Sequence, residues 1–96
     1  MDAPQPHAPG DPESVLLNRI TANPEIFGGK PIIRGRRLAV EHVLGMMAAG
    51  DTVEDLLGAY EWLEREDVLA CLEYARRVVG RERTDVPLNF KPDKAA

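Results

Sequence analysis

The sequence predicts a small, mainly α domain in which three helices follow a short β element. Three observations carry this. Apolar residues recur at helical spacing in three separate stretches after residue 40. Those stretches are punctuated by capping and stop residues, Thr52, Gly50 and Gly80. The strongest strand signal ahead of them is the β-branched pair Ile32-Ile33, which follows Pro31 and precedes Gly35.

Met1 to Pro12 is rich in proline and small residues without periodicity and reads as disordered, so residues 1–13 are set apart as a tail. The domain is expected over 14–80 and a flexible C-terminal tail over 81–96. Ser14 to Ile20, with Val15, Leu16, Leu17 and Ile20, suits either a helical turn or a strand. For its later half a strand from about Leu17 to Thr21, paired with Ile32-Ile33, is preferred. Asn23-Pro24 signals a turn.

Asn23 to Leu38 is the most chemically loaded stretch, with three glycines, two prolines and four basic side chains. Gly28-Gly29 can adopt positive φ and predicts a tight reversal. Pro31 lacks an N–H donor and suits a strand start or edge. Gly35 permits a kink or bulge that aims Arg36 and Arg37 differently from Arg34.

The first predicted helix runs from about Val40 to Ala49, with Val40, Val43, Leu44 and Met47 as its buried stripe and Gly50 as its stop. His42, beside that stripe, reads as a structural residue. Thr52 caps the second helix, and Asp55 three residues on completes a capping box. Val53, Leu56, Leu57 and Tyr60 form the apolar face of this helix. In the connection Glu61-Trp62-Leu63-Glu64, Leu63 plugs the core, while Trp62 is either a core cover or an exposed anchor. The third helix runs from about Arg65 to Val79. Its stripe is Val68, Leu69, Leu72, Ala75 and Val79, with Cys71 and Val78 alongside. Its acidic first turn and basic last turn match the helix dipole, and Gly80 is the expected stop.

Ninety-six residues allow one domain, and an ordered part of about 60 residues is marginal alone, which favours a partner or a homodimer. The single cysteine excludes an internal disulfide and a cysteine-based zinc site. With no membrane-length apolar run and no secretory pattern at the N-terminus, a cytoplasmic protein is expected. The net charge of −4 is unevenly spread. Residues 26–50 carry +3, and residues 51–79 carry −5. Such asymmetry predicts a basic face over an acidic helical body.

Catalytic chemistry finds little support. Ser14 and His7 lie in or beside the loose N-terminus, Cys71 sits among apolar neighbours, and the helix acids have the spacing of a solvated face. Gly28-Gly29-Lys30 lacks the spacing of a phosphate loop. No enzyme activity and no cofactor are expected.

The run Gly28-Gly29-Lys30-Pro31, then Ile33-Arg34-Gly35 and Arg37-Leu38-Ala39-Val40, resembles the prokaryotic domain-of-unknown-function family 433, whose members include VapB-type antitoxins. The resemblance continues through Ala49 to Leu57, Tyr60, Leu63, Glu66-Asp67-Val68 and Leu72 to Ala75, covering roughly Ile20 to Val79. It implies a homeodomain-like trihelical fold. Two departures stand out: Glu61 replaces the family's usual proline, and Glu64 its usual threonine or serine, which predicts a looser turn before the last helix.

Two binding functions follow. The second and third helices have helix-turn-helix lengths. The third opens on Glu64-Arg65-Glu66-Asp67, however, and those carboxylates would repel a polyanion. Lys30, Arg34, Arg36 and Arg37 are therefore the DNA-contact candidates, against the alternative of a solvated turn with local ion pairs. The resemblance also implies a PIN-like ribonuclease toxin as partner. Arg81, Arg83 and Lys91 are basic groups that could lie among the toxin's metal-binding carboxylates, and Val86, Leu88 and Phe90 are apolar anchors. The alternative is a tail without a role. The expected function is an antitoxin that neutralises its toxin and binds its operator DNA, with a stand-alone helix-turn-helix regulator as the other reading.

Overall fold

Successive side chains of a strand point to opposite faces, and Ile32 and Ile33 use both. Each is fully buried. Ile33 joins Leu38, Val40, Val43, Leu56, Leu63, Val68 and Cys71 in the main core, whereas Ile32 packs with Ile26 and Ala39 in a second, smaller cluster. The computed structural model describes residues 12–81. These form α1 (Pro12–Leu17), β1 (Ile20–Thr21), β2 (Ile32–Ile33), α2 (Val40–Ala48), α3 (Val53–Ala59) and α4 (Arg65–Arg81), with a short 3₁₀ turn at Phe27–Gly29 between the strands. The molecule is mainly helical.

β1 and β2 pair antiparallel, with Ile20 opposite Ile33 and Thr21 opposite Ile32. The expected pairing of these segments is present, but the strand is shorter and the residues before it are helical. α1 lies against α4, so a fourth helix joins the three expected ones. Between the strands, Phe27, Gly28 and Gly29 all have positive φ (49°, 66° and 91°). The reversal falls on the glycine pair, and Phe27 takes its conformation with it. The exposed ring of Phe27 meets the His42 ring edge-on at 5.1 Å. His42 Nδ1 in turn accepts a hydrogen bond from the Ala39 N–H at the start of α2.

The Thr52–Asp55 capping box forms reciprocally: Asp55 N–H donates to Thr52 Oγ1 at 3.1 Å and Thr52 N–H to Asp55 Oδ2 at 2.8 Å. Gly50 has φ +113° after α2, as its stop role requires. Leu63 is buried between α3 and α4.

Two expectations for the last helix need correction. Gly80 does not end it, since α4 continues to Arg81, the last described residue. Its inward stripe is also rotated. Asp67, Val68, Ala70 and Cys71 are buried, while Leu69, Leu72 and Val79 are 44%, 42% and 75% exposed. The run Val68-Leu69-Ala70-Cys71-Leu72 is apolar all round, so periodicity alone does not fix its phase. A buried aspartate fixes it instead. Cys71 is sealed in this core. Burial first, then the Asp67 charge, pushes its thiol up to about 12. Against an ordinary thiol of 9.0 that cuts the thiolate fraction at neutral pH about a thousandfold. Ellman's reagent should accordingly leave Cys71 unreacted in the native protein and titrate it in urea.

Candidate functional site

The loaded hairpin tip is built by its turn. Arg34 and Gly35 both have positive φ (46° and 70°), and Arg36 N–H donates to Ile33 O at 2.8 Å. Two central residues with positive φ define a type I′ turn, the form whose twist suits antiparallel strands. Glycine occupies the second of these positions without strain, whereas arginine at the first costs on the order of 1 kcal/mol. After the tip the chain returns along β2, with Ile33 N–H donating to Leu38 O at 3.1 Å and Val40 N–H to Pro31 O at 2.9 Å. Gly35 N–H donates to Thr21 Oγ1 at 2.9 Å, which ties the tip to β1.

The strained Arg34 is held from below by Asp67. Its Nε donates to Oδ1 at 2.9 Å and its Nη2 to Oδ2 at 2.7 Å, a two-pronged pair. Arg19 Nη1, just ahead of β1, donates to Oδ1 at 3.0 Å, and Glu64 N–H donates to Oδ2 at 2.8 Å. These four bonds fill the acceptor capacity of one carboxylate. Arg34 Nη2 also donates to Trp62 O at 3.0 Å, and Arg19 Nη1 to Glu64 Oε1 at 2.7 Å. One fully buried carboxylate thus fastens the hairpin tip, the entry to β1 and the α3–α4 connection to the start of α4. That connection, expected to be looser, carries two tertiary hydrogen bonds. Burial pushes the Asp67 carboxyl up, but the bonds from Arg34, from the Glu64 N–H and from Arg19 outweigh it and hold it below its ordinary 3.8.

The four basic hairpin residues therefore have different fates. Arg34 is committed to Asp67. Arg36 lies over the Trp62 ring with its guanidinium carbon 4.6 Å from the centroid, and Arg34 is 5.6 Å from the same ring. Instead of being aimed apart, these two arginines converge on Trp62. That ring is half-buried and meets Tyr60 edge-on, 6.2 Å away. Lys30 Nζ pairs with Glu41 at 3.0 Å on the surface. Arg37 is exposed. The acidic opening of α4 is altered too: Asp67 is neutralised inside, Glu64 meets Arg19, and Arg65 pairs with Glu54 at 2.8 Å. Like-charge repulsion at that helix start is weaker than the sequence suggests.

Of the tail candidates, Arg81 is exposed at the end of α4. Arg83, Val86, Leu88, Phe90 and Lys91 lie outside the described residues. Arg19 was not singled out by sequence reasoning, because its partners lie 45 and 48 positions away. The one signal pointing inward was an aspartate at the third position of a helix, where its carboxylate can reach back to the preceding N–H.

A family model described as "Protein of unknown function (DUF433)" matches residues 20–75, more than half of the chain. The chain belongs to the DUF433 family. The match begins at β1 and ends within α4, so it contains the hairpin, Arg34 and Asp67. The chain is 38% identical over 72 residues to the uncharacterized protein y4eO of Sinorhizobium fredii (strain NBRC 101917 / NGR234), a match covering 71% of this chain. It spans only a third (33%) of that relative's length. Among solved structures, a DUF433 member from Anabaena variabilis ATCC 29413 superposes with a TM-score of 0.63 at 28% identity, covering 71% of this chain and 67% of that one. No helix among the described residues is long and apolar enough to cross a membrane.

Proposed function

We propose that this DUF433 chain is the antitoxin of a type II toxin–antitoxin pair and neutralises a PIN-like ribonuclease by binding it. The supporting observation is the outer face of α4. Leu69, Leu72 and Val79 are exposed along it. An exposed apolar row of this kind favours a protein partner. The row leads directly into the segment carrying Arg81, Arg83, Val86, Leu88, Phe90 and Lys91. Its basic groups suit a carboxylate-lined metal site, and its apolar groups suit the grooves beside it. The family resemblance, which includes VapB-type antitoxins, points the same way. In this reading the protein acts by occupancy and carries out no chemistry of its own. A homodimer joined through leftover apolar surface fits the small core. Co-expression with the adjacent open reading frame tests the proposal: growth is restored and the two products co-purify, whereas continued toxicity contradicts it.

Operator binding is the second reading, favoured by Arg36 and Arg37, which are exposed at the hairpin. A stand-alone helix-turn-helix regulator would use the same surface. Arg34 is unsuitable for testing it, since it is committed to the buried Asp67 and its removal is expected to disturb the fold. Replacing Arg36 and Arg37 together by alanine should reduce the salt slope of promoter binding by about two phosphate contacts, measured by fluorescence anisotropy across a salt series. An unchanged slope places any DNA contact elsewhere.

A further inference from the structure

Beside the main core, α2 and α4 leave an apolar groove of about 260 Å³ between them, lined by Pro31, Val40, Leu44, Tyr74, Ala75, Val78 and Val79 with Glu41 at its rim. It lies within two turns of the last described residue, Arg81. The sequence that follows contains Val86, Leu88 and Phe90 at alternate positions, interleaved with Pro87, Asn89 and Lys91. A residue before proline is driven to extended backbone, and in an extended segment alternate side chains share one face. Residues 82–85 span up to about 14 Å when extended. The distance back along the α4 axis from Arg81 to Ala75 is about 9 Å. The connection is therefore long enough to reverse direction and lay Val86 at the groove mouth.

We propose that Val86–Phe90 of the same chain docks as an extended segment in this groove, with Val86, Leu88 and Phe90 facing Leu44, Ala75 and Val78. Lys91 then approaches the rim carboxylate Glu41, which Lys30 already shares. A short tether gives the segment an effective concentration in the millimolar range. At micromolar protein this favours the chain's own segment over that of a second copy. The inference does not require the antitoxin reading. If that reading also holds, the toxin-binding tail is stored on the domain, and the toxin must compete with the groove for it.

Hydrogen–deuterium exchange on the full chain tests the docking. Amides of residues 86–90 should exchange roughly tenfold or more slowly than in an unstructured peptide of the same sequence. Val78→Asp in the groove and the double variant Leu88→Asp, Phe90→Asp in the tail should each abolish that protection. The tail variant leaves the groove intact, so the test survives if Val78→Asp does not fold. Unprotected 86–90 amides in the wild type, or protection retained in the tail variant, overturns the proposal. Protection that appears only at concentrations where sedimentation shows a dimer overturns it in favour of a second copy. Growth rescue is scored separately, so loss of the antitoxin reading and loss of the docked segment are distinguishable.

Discussion

Asp67→Ala destabilises the domain by about 3 kcal/mol, at the lower end of the 3–5 kcal/mol typical when one partner of a buried ion pair is removed. The lower end applies because the guanidinium side chains left behind stay in partial contact with water. Arg34 is 32% and Arg19 28% exposed, whereas Asp67 is fully buried. In a domain of this size the loss corresponds to a drop in melting temperature of roughly 12–24 °C, readable by circular dichroism. Arg34→Ala costs nearly as much, for it strands a buried carboxylate with Arg19 as its remaining charged partner. The double variant should be less destabilised than the two single losses summed, because the pair acts as a unit. Simple additivity would show that Arg34 and Asp67 act independently.

The same carboxylate sets the response to acid. Asp67 is held below its ordinary 3.8, and Glu73, gripped by Arg76 at 2.8 Å and Arg77 at 2.6 Å, is lowered from 4.5 to about 2. For groups with a depressed folded value, the stabilisation is present above the ordinary value and is lost as pH falls through the folded one. Urea midpoints should therefore be flat above about pH 5 and fall steadily from about pH 4 toward 2. In Asp67→Ala the acid-sensitive part should shrink.

Deleting residues 84–96 has the largest expected effect on function. The truncated chain keeps α1 to α4, the hairpin and the Asp67 network, so its far-ultraviolet spectrum stays helical. It loses Val86, Leu88, Phe90 and Lys91, and with them the anchors and the outermost cation proposed to reach the toxin. Binding energy concentrates in a few such groups, so neutralisation should be lost outright. Full growth rescue by the truncated chain would return the toxin interface to the helical domain.

Several local signals were readable, although Gly80, read as a stop, lies inside α4. Thr52 and Asp55 cap α3, Gly50 stops α2, and Ile32-Ile33 pair with Ile20-Thr21 because β-branching, capping geometry and positive φ act over a few residues. What escaped was set by distant partners. Arg34 read as an outward cation because nothing near it in sequence announces Asp67, 33 positions on. Leu69 and Leu72 read as core because apolar residues surround them on every side of the helix. Their exposure became visible only once Asp67 had fixed the rotation of α4. The basic face expected from the charge asymmetry is thus partly internal, with Arg19 and Arg34 neutralised beneath the hairpin.

We propose that this DUF433 chain acts on a protein partner through its apolar α4 surface and the segment beyond it, with the cationic hairpin secondary. Growth rescue against the adjacent gene product, compared between two full-length variants, tests this most directly. Arg36→Ala with Arg37→Ala should still rescue growth, and Leu69→Asp with Leu72→Asp, confined to exposed positions, should not. Rescue by the aspartate pair together with failure of the alanine pair would move the toxin contact from α4 to the hairpin.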